Sequence, residues 1–213
     1  MRVKICGLTR LQDVNAALNE GADALGFVID SPSPRSITYT RAKRLMKTVR
    51  VFSTKVAVTS VNDSKRVLKI CRELKPDSLQ LHAHTPNLVH LLRKQEPSTQ
   101  LILATPVWSS SALKQAKEVS HYADAILTDS PSPIGTGGTG RTHDWGLTAR
   151  IRKAIYPHPL ILAGGLTVKN VKAAIAQVQP YAVDVSSGVE KRVGIKDQGK
   201  MREFIMKAKE AEC

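Results

Sequence analysis

Short apolar, β-branched runs alternate along the chain with longer stretches whose apolar residues recur at helical spacing. Val3–Ile5, Ala24–Ile29, Lys55–Val58, Ser78–Leu81, Leu101–Ala104, Ala125–Leu127, Leu160–Ala163 and Ala182–Val185 read as strands. Between them, Val67, Ile70, Cys71 and Leu74 fall at i, i+3, i+4 and i+7. Met201, Phe204, Ile205 and Ala208 repeat that spacing, so each set makes one apolar stripe on a helix. Regular alternation of strand and helix predicts a parallel sheet with right-handed crossovers. Eight such units in 213 residues predict a single-domain (βα)8 TIM barrel with eight parallel strands, spanning residues 1–213. A doubly wound open sheet is the structural alternative. It carries a Gly-rich fingerprint after its first strand, and Cys6-Gly7-Leu8-Thr9 is not one. The segments Asp30–Thr38 and Ser130–Thr142 are turn-rich and read as loops after the second and sixth strands.

Strand parity then sorts the side chains. Val3 and Ile5, Leu79 and Leu81, and Val183 and Val185 must face the helices. Lys4 and Cys6, Gln80 and His82, and Asp184 and Ser186 then point into the barrel, towards its C-terminal mouth. Barrel interiors are normally filled with branched aliphatics, so such a lining implies polar ligand chemistry. Cys6 can serve as a nucleophile or general base if its pKa is lowered, and Lys4 on the same face is placed to lower it; otherwise Cys6 is a small packing residue. Asp129 and Asp184, at strand ends on the same rim, suit a general acid or a ligand contact, or else a rim ion pair. His82 and His84 form an HxH without a third ligand at metal-binding spacing, which disfavours a metal site. Cys71 lies on an apolar helical stripe and reads as packing. Gly164-Gly165 and Ser186-Ser187-Gly188 follow the seventh and eighth strands, where this fold places phosphate groups. Arg35 can clamp a carboxylate through two parallel bonds or stand in solvent.

Composition narrows the class without changing the fold. Hydrophobic residues make up 42% and charged residues 23%, which excludes a wholly disordered chain. No apolar run reaches the length of a membrane span and no signal-peptide h-region opens the chain, so the expected setting is soluble and cytoplasmic. Three cysteines and no CxxC fit a reducing compartment. Thirty-two Lys and Arg against eighteen Asp and Glu give a net charge of +14, which attracts phosphorylated substrates or polyanions. Aromatics are only 4%, too few for a nucleic-acid stacking platform.

The ordered blocks VKICGLT, ADALGFV, SPRSI, LQLH, AILTDS, GGTGRTHDW, LAGGL and VDVSSGVE carry a resemblance that runs nearly end to end. The chain resembles the phosphoribosylanthranilate isomerases of tryptophan biosynthesis. These are (βα)8 barrels without metal or organic cofactor, which carry out an Amadori rearrangement, an aldose-to-ketose isomerisation. The resemblance implies that Cys6 is the general base and Asp129 the general acid. It assigns Arg35 to the anthranilate carboxylate, Asp184 to the region of the anthranilate nitrogen and His82 to the pocket. It assigns the backbones of Gly164, Gly165, Ser186, Ser187 and Gly188 to the substrate phosphate. An acid that must be protonated when substrate binds predicts a raised Asp129 pKa. The implied partner is a small phosphorylated substrate, with no specific nucleic acid and no membrane, acting on a monomer or homodimer. Departures from the family pattern are Arg141 and His143 in the long loop, where Lys and Phe are common, Thr128 before the strand-six aspartate, where a second Leu is usual, and Val56–Asn62, which lacks the usual hydrophobic run. Another phosphosugar enzyme on the same barrel, or a basic polyanion-binding protein, are the competing expectations.

Overall fold

The computed structural model describes residues 1–130 and 142–211. Eight parallel strands close on themselves: β1 (Arg2–Ile5), β2 (Ala24–Ile29), β3 (Thr54–Thr59), β4 (Ser78–Leu81), β5 (Gln100–Pro106), β6 (Ala125–Asp129), β7 (Leu160–Leu162) and β8 (Ala182–Val185). Closure comes from β1, which pairs with β2 at Lys4↔Ala24 and with β8 at Lys4↔Asp184. Among the described residues, eight helices surround the barrel: α1 (Leu11–Asn19), α2 (Tyr39–Met46), α3 (Ser64–Leu74), α4 (Pro86–Gln95), α5 (Ser111–Ser120), α6 (Trp145–Ile155), α7 (Val171–Val178) and α8 (Gln198–Glu210). All eight expected strands are present, four of them longer by one to three residues and β7 one residue shorter. The helix expected near Val168 starts only at Val171, because Asn170 first closes a turn on the Thr167 amide (2.7 Å).

Local chemistry sets the ends of these elements. Thr38, Asp63, Thr85, Asp144 and Asp197 each cap a helix by accepting a hydrogen bond from its first-turn backbone. Three aspartates just before strands do a second job. Asp23, Asp77 and Asp124 accept from the amides of Val3, Lys55 and Leu101 at 2.7–2.8 Å, pinning each strand to the start of its neighbour. Register is thereby fixed at the N-terminal mouth, opposite the polar rim.

Two apolar layers result. The larger lies between strands and helices and contains Val3, Ile5, Leu79, Leu81, Val183 and Val185, together with the α3 and α8 stripes. A smaller one fills the barrel interior with Val28, Val56, Val58, Ile102, Leu127 and Ile161, and Cys6 caps it. The parity expected from alternation therefore holds.

Two features depart from the expectation. The loop Asp30–Thr38 contains a two-residue strand, Ser36–Ile37, parallel to Val28–Ile29. Beyond β8, a single 3-10 turn (Ser187–Val189) leads into a small antiparallel hairpin of Glu190–Arg192 and Ile195–Lys196. Neither strand of that hairpin is long or apolar enough to show in the pattern. No helix among the described residues is long and apolar enough to cross a membrane. At the N-terminal mouth a second cavity opens beside Phe52, which is fully exposed, as Val51 nearly is.

Candidate active site

The C-terminal mouth holds a cavity lined by polar side chains from several strand ends and the loops that follow them. Cys6, Arg35, His82, Asp129, Asp184, Gly164, Gly165, Ser186 and Ser187 all line it. Of the residues expected at the site, only Gly188 stands behind the wall. A Cβ there would run into the Leu166 carbonyl oxygen, so Gly188 lets the β8 loop press against the β7 loop. Arg141 and most of the long loop after β6, like Cys213, lie outside the described residues.

Cys6 directly follows β1, with its thiol over the barrel core. Gly26 on β2 makes room for it: a Cβ at that position would sit 2.9 Å from Cys6 Sγ and 3.2 Å from Lys4 Cε. Lys4, one pleat below, donates to Asp184 Oδ1 at 2.9 Å, and both side chains are buried. The expectation that Lys4 leaves Cys6 with a lowered pKa needs correction. Burial dominates and pushes the thiol up; Lys4, and more weakly Lys196, pull it back, while Asp184 opposes them. The charge of Lys4 works in the expected direction but is shared with Asp184 and loses to desolvation. Lys4 itself stays charged, because Asp184 and Cys6 outweigh the cost of burying the ammonium and raise its pKa.

Asp129 closes β6 and is 8% exposed. Burial lifts its carboxyl to about 7; the hydrogen bond from the Ser130 amide (2.7 Å) pulls against this, Asp184 adds to it, and Lys4 pulls weakly down. The raised pKa is the one the sequence reading asked for. Ser130 Oγ also meets His143 Nδ1 at 3.3 Å, and His143 Nε2 meets Thr148 Oγ1 on α6 at 2.8 Å. Burial lowers His143 to about 4, so a neutral imidazole ties the distal end of the long loop to β6 and α6. His82 is likewise held at about 4, by burial first and then by Lys4 and His84. It accepts from Gln80 Nε2 at 2.9 Å, while Gln80 Oε1 has no partner among the described residues. His84 points instead at the Ala104 carbonyl (3.3 Å), and the described residues hold no group of three or more metal-ligating side chains.

Backbone shape builds the opposite wall. Gly164 and Gly165 take φ +80° and +65°, and a Cβ on Gly164 would collide with the Ser130 amide. Only glycine lets the β7 loop bring its peptide groups to the cavity beside Asp129. Ser186 and Ser187 face it from the β8 loop.

Arg35 is not solvent-exposed. Its Nε and Nη2 donate to the two carboxylate oxygens of Glu190, both at 2.8 Å. Lys196 Nζ donates to Glu190 Oε1 (3.1 Å) and to the Ser186 carbonyl (3.0 Å). Sequence reasoning placed Gln80 on the polar lining and missed Glu190, Lys196, Gly26 and Ser130 as parts of the site. Glu190 closes the VDVSSGVE block, which marks it, whereas nothing local distinguishes Gly26 from any strand glycine. Cys71 is buried on α3 with its thiol pushed up by burial to about 12, as a packing residue should be.

Comparison with known proteins gives the chain its relatives. The family model described as N-(5'phosphoribosyl)anthranilate (PRA) isomerase matches residues 3–207. The N-(5'-phosphoribosyl)anthranilate isomerase of Methanothrix thermoacetophila is 43% identical over 210 residues, covering 98% of both chains. That of Pseudomonas putida is 41% identical over 214 residues, covering 99% of this chain and 98% of its own. Among solved structures, the Thermotoga maritima phosphoribosyl anthranilate isomerase superposes with a TM-score of 0.87 at 36% identity, over 99% of each chain. A phosphoribosyl anthranilate isomerase in complex with reduced 1-(o-carboxyphenylamino)-1-deoxyribulose 5-phosphate does so with a TM-score of 0.84 at 34% identity, again over 99% of each.

Proposed function

The chain belongs to the N-(5'-phosphoribosyl)anthranilate isomerase family, and from that footing we propose that Cys6 is its general base and Asp129 its general acid. The protein is an isomerase of tryptophan biosynthesis. It rearranges N-(5-phosphoribosyl)anthranilate to 1-(2-carboxyphenylamino)-1-deoxyribulose 5-phosphate.

The observation that carries the assignment is the Asp129 carboxyl. Held near pH 7 inside the cavity that Cys6 also lines, it can carry a proton at neutral pH and give it up on demand. Asp129 protonates the ribose ring oxygen as the C1′–O bond breaks, leaving a protonated Schiff base between C1′ and the anthranilate nitrogen. That cation acidifies the C2′ hydrogen. The Cys6 thiolate removes the C2′ proton, the electron pair moves into C1′–C2′, and a neutral enolamine forms. Protonation at C1′ together with loss of the C2′ hydroxyl proton then gives the ketone, so the atoms balance without an oxidant or reductant. Asp184, anchored by Lys4, lies beside the developing iminium. Arg35 takes the anthranilate carboxylate, His82 lines the pocket as a neutral imidazole, and Gly164, Gly165, Ser186 and Ser187 form the phosphate end, with Gly188 supporting it from behind the wall.

The chain acts on this small phosphorylated substrate as a monomer or homodimer. Val51 and Phe52 support self-association at the N-terminal mouth, away from the catalytic one. The test is anthranilate fluorescence, with phosphoribosylanthranilate generated in place. Cys6→Ala and Asp129→Asn should each lose at least about a hundredfold in kcat while remaining folded. Turnover that survives either change reassigns that role.

A further inference from the structure

We propose that Glu190 is the positioning residue that presents one edge of the Arg35 guanidinium to the substrate carboxylate, and that Lys196 ties this clamp to the phosphate end of the site. The inference rests on the reading of Arg35 given above and adds two residues outside the cavity wall to the specificity of the reaction.

An arginine guanidinium offers two edges that present paired N–H groups, Nε–Nη2 and Nη1–Nη2. Glu190 takes the Nε–Nη2 edge with two bonds of 2.8 Å, leaving the Nη1–Nη2 edge for a second carboxylate. Arg35 lines the cavity, whereas Glu190 and Lys196 do not. The side chains of Arg35, Glu190 and Lys196 are 11%, 5% and 0% exposed, so the cluster is nearly dry. It sets two basic groups against one carboxylate; burial lowers the Lys196 pKa and Glu190 pulls it back up. Glu190 is itself held firmly: Oε1 also accepts from Lys196 Nζ and, at 3.3 Å, from the Gly194 amide. The Arg35 stem is confined from the other side, since a Cβ on Gly7 would meet Arg35 Cδ at 2.6 Å and Ser186 Oγ at 2.9 Å. Holding the arginine before substrate arrives removes the ordering cost that a long flexible side chain would otherwise impose on binding.

Lys196 supplies the second connection. Its Nζ reaches the Ser186 carbonyl (3.0 Å) and hydroxyl (3.4 Å), and its backbone amide donates to Asp13 Oδ2 (3.3 Å). Asp13 is fully buried and paired with Arg10. One ammonium therefore touches both the β8 loop at the phosphate end and the carboxylate that aims the arginine.

The experiment measures calorimetric affinity for two ligands: reduced 1-(o-carboxyphenylamino)-1-deoxyribulose 5-phosphate, and the same molecule without its carboxyl group. Glu190→Gln should weaken the carboxylated ligand by about tenfold or more, the loss of a charge-assisted contact, and leave the other within about twofold. In turnover KM should rise more than kcat falls. Glu190→Asp should recover part of the loss, and carries the same test if Glu190→Gln does not fold. Equal weakening of both ligands, or of neither, overturns the role of Glu190. Lys196→Met should weaken both ligands; if both bind as in wild type, the tie to the phosphate end is wrong. An Arg35→Met variant that binds both ligands as wild type does would instead sink the reading of Arg35 itself.

Discussion

Lys4 and Asp184 face each other across the β1–β8 seam, paired in register and joined Nζ to Oδ1 at 2.9 Å, with almost no access to water. The ion pair lies in the layer from which Cys6 rises. It stitches the first strand to the last, and it decides how much positive charge the thiol feels.

Replacing Lys4 by Met should therefore have two effects. Asp184 loses its cation while still buried, which is expected to cost about 3–5 kcal/mol of stability by chemical unfolding. The Cys6 thiol loses the largest influence that lowers its pKa and should titrate still higher, read by thiolate absorbance or the pH dependence of alkylation. A thiol that titrates no higher than in wild type would remove Lys4 from the proposal. Because the folded pKa of Lys4 lies above its ordinary 10.5, the pair's contribution is complete below that pH. It is lost only as pH rises through the folded value.

The pH profile should show the acid and base with their pKa values in reversed order. Asp129 sits at about 7, whereas Cys6 lies above the ordinary thiol value of 9.0. Activity needs protonated Asp129 with ionised Cys6, a minor form of the singly protonated pair. The kcat/KM profile should therefore rise through pH 7 as one proton leaves the pair. It should hold a plateau and fall in the alkaline range when the second proton goes. The limb near 7 belongs to Asp129. A profile that instead falls from pH 7 upward would mean that the thiol ionises first.

Two glycines should fail in different ways. Gly26→Ala places a methyl against Cys6 Sγ and should displace the base, lowering kcat by about a hundredfold with phosphate binding intact. Gly188→Ala drives the β8 loop off the Leu166 carbonyl and should chiefly weaken competitive inhibition by inorganic phosphate. Equal effects of both changes on kcat and on phosphate inhibition would show that neither glycine has a separable role.

Much of this was legible in the chain. Alternation with period two told Leu79 and Leu81 from Gln80 and His82, and the barrel sorts them as alternation requires. The α3 and α8 stripes were equally plain, because burial against the barrel demands one apolar face. The hairpin after β8 left no such trace. Its strands are two and three residues long, and they hold together through Glu190 and Lys196 rather than by an apolar face.

The sequence by itself determined the elements, their order, which face of each strand is polar, and the residue types gathered at the C-terminal mouth. These follow from local periodicity, which each segment carries alone. Tertiary structure decided the partners and the sign of the electrostatics. Arg35 finds Glu190 across 155 positions and Lys4 finds Asp184 across 180, contacts that no local spacing encodes. The same closure that brings Lys4 under Cys6 also removes water from the thiol, and desolvation outweighs the ammonium. The balance of burial against charge depends on what the whole barrel encloses, so it could be read only once the strands had closed.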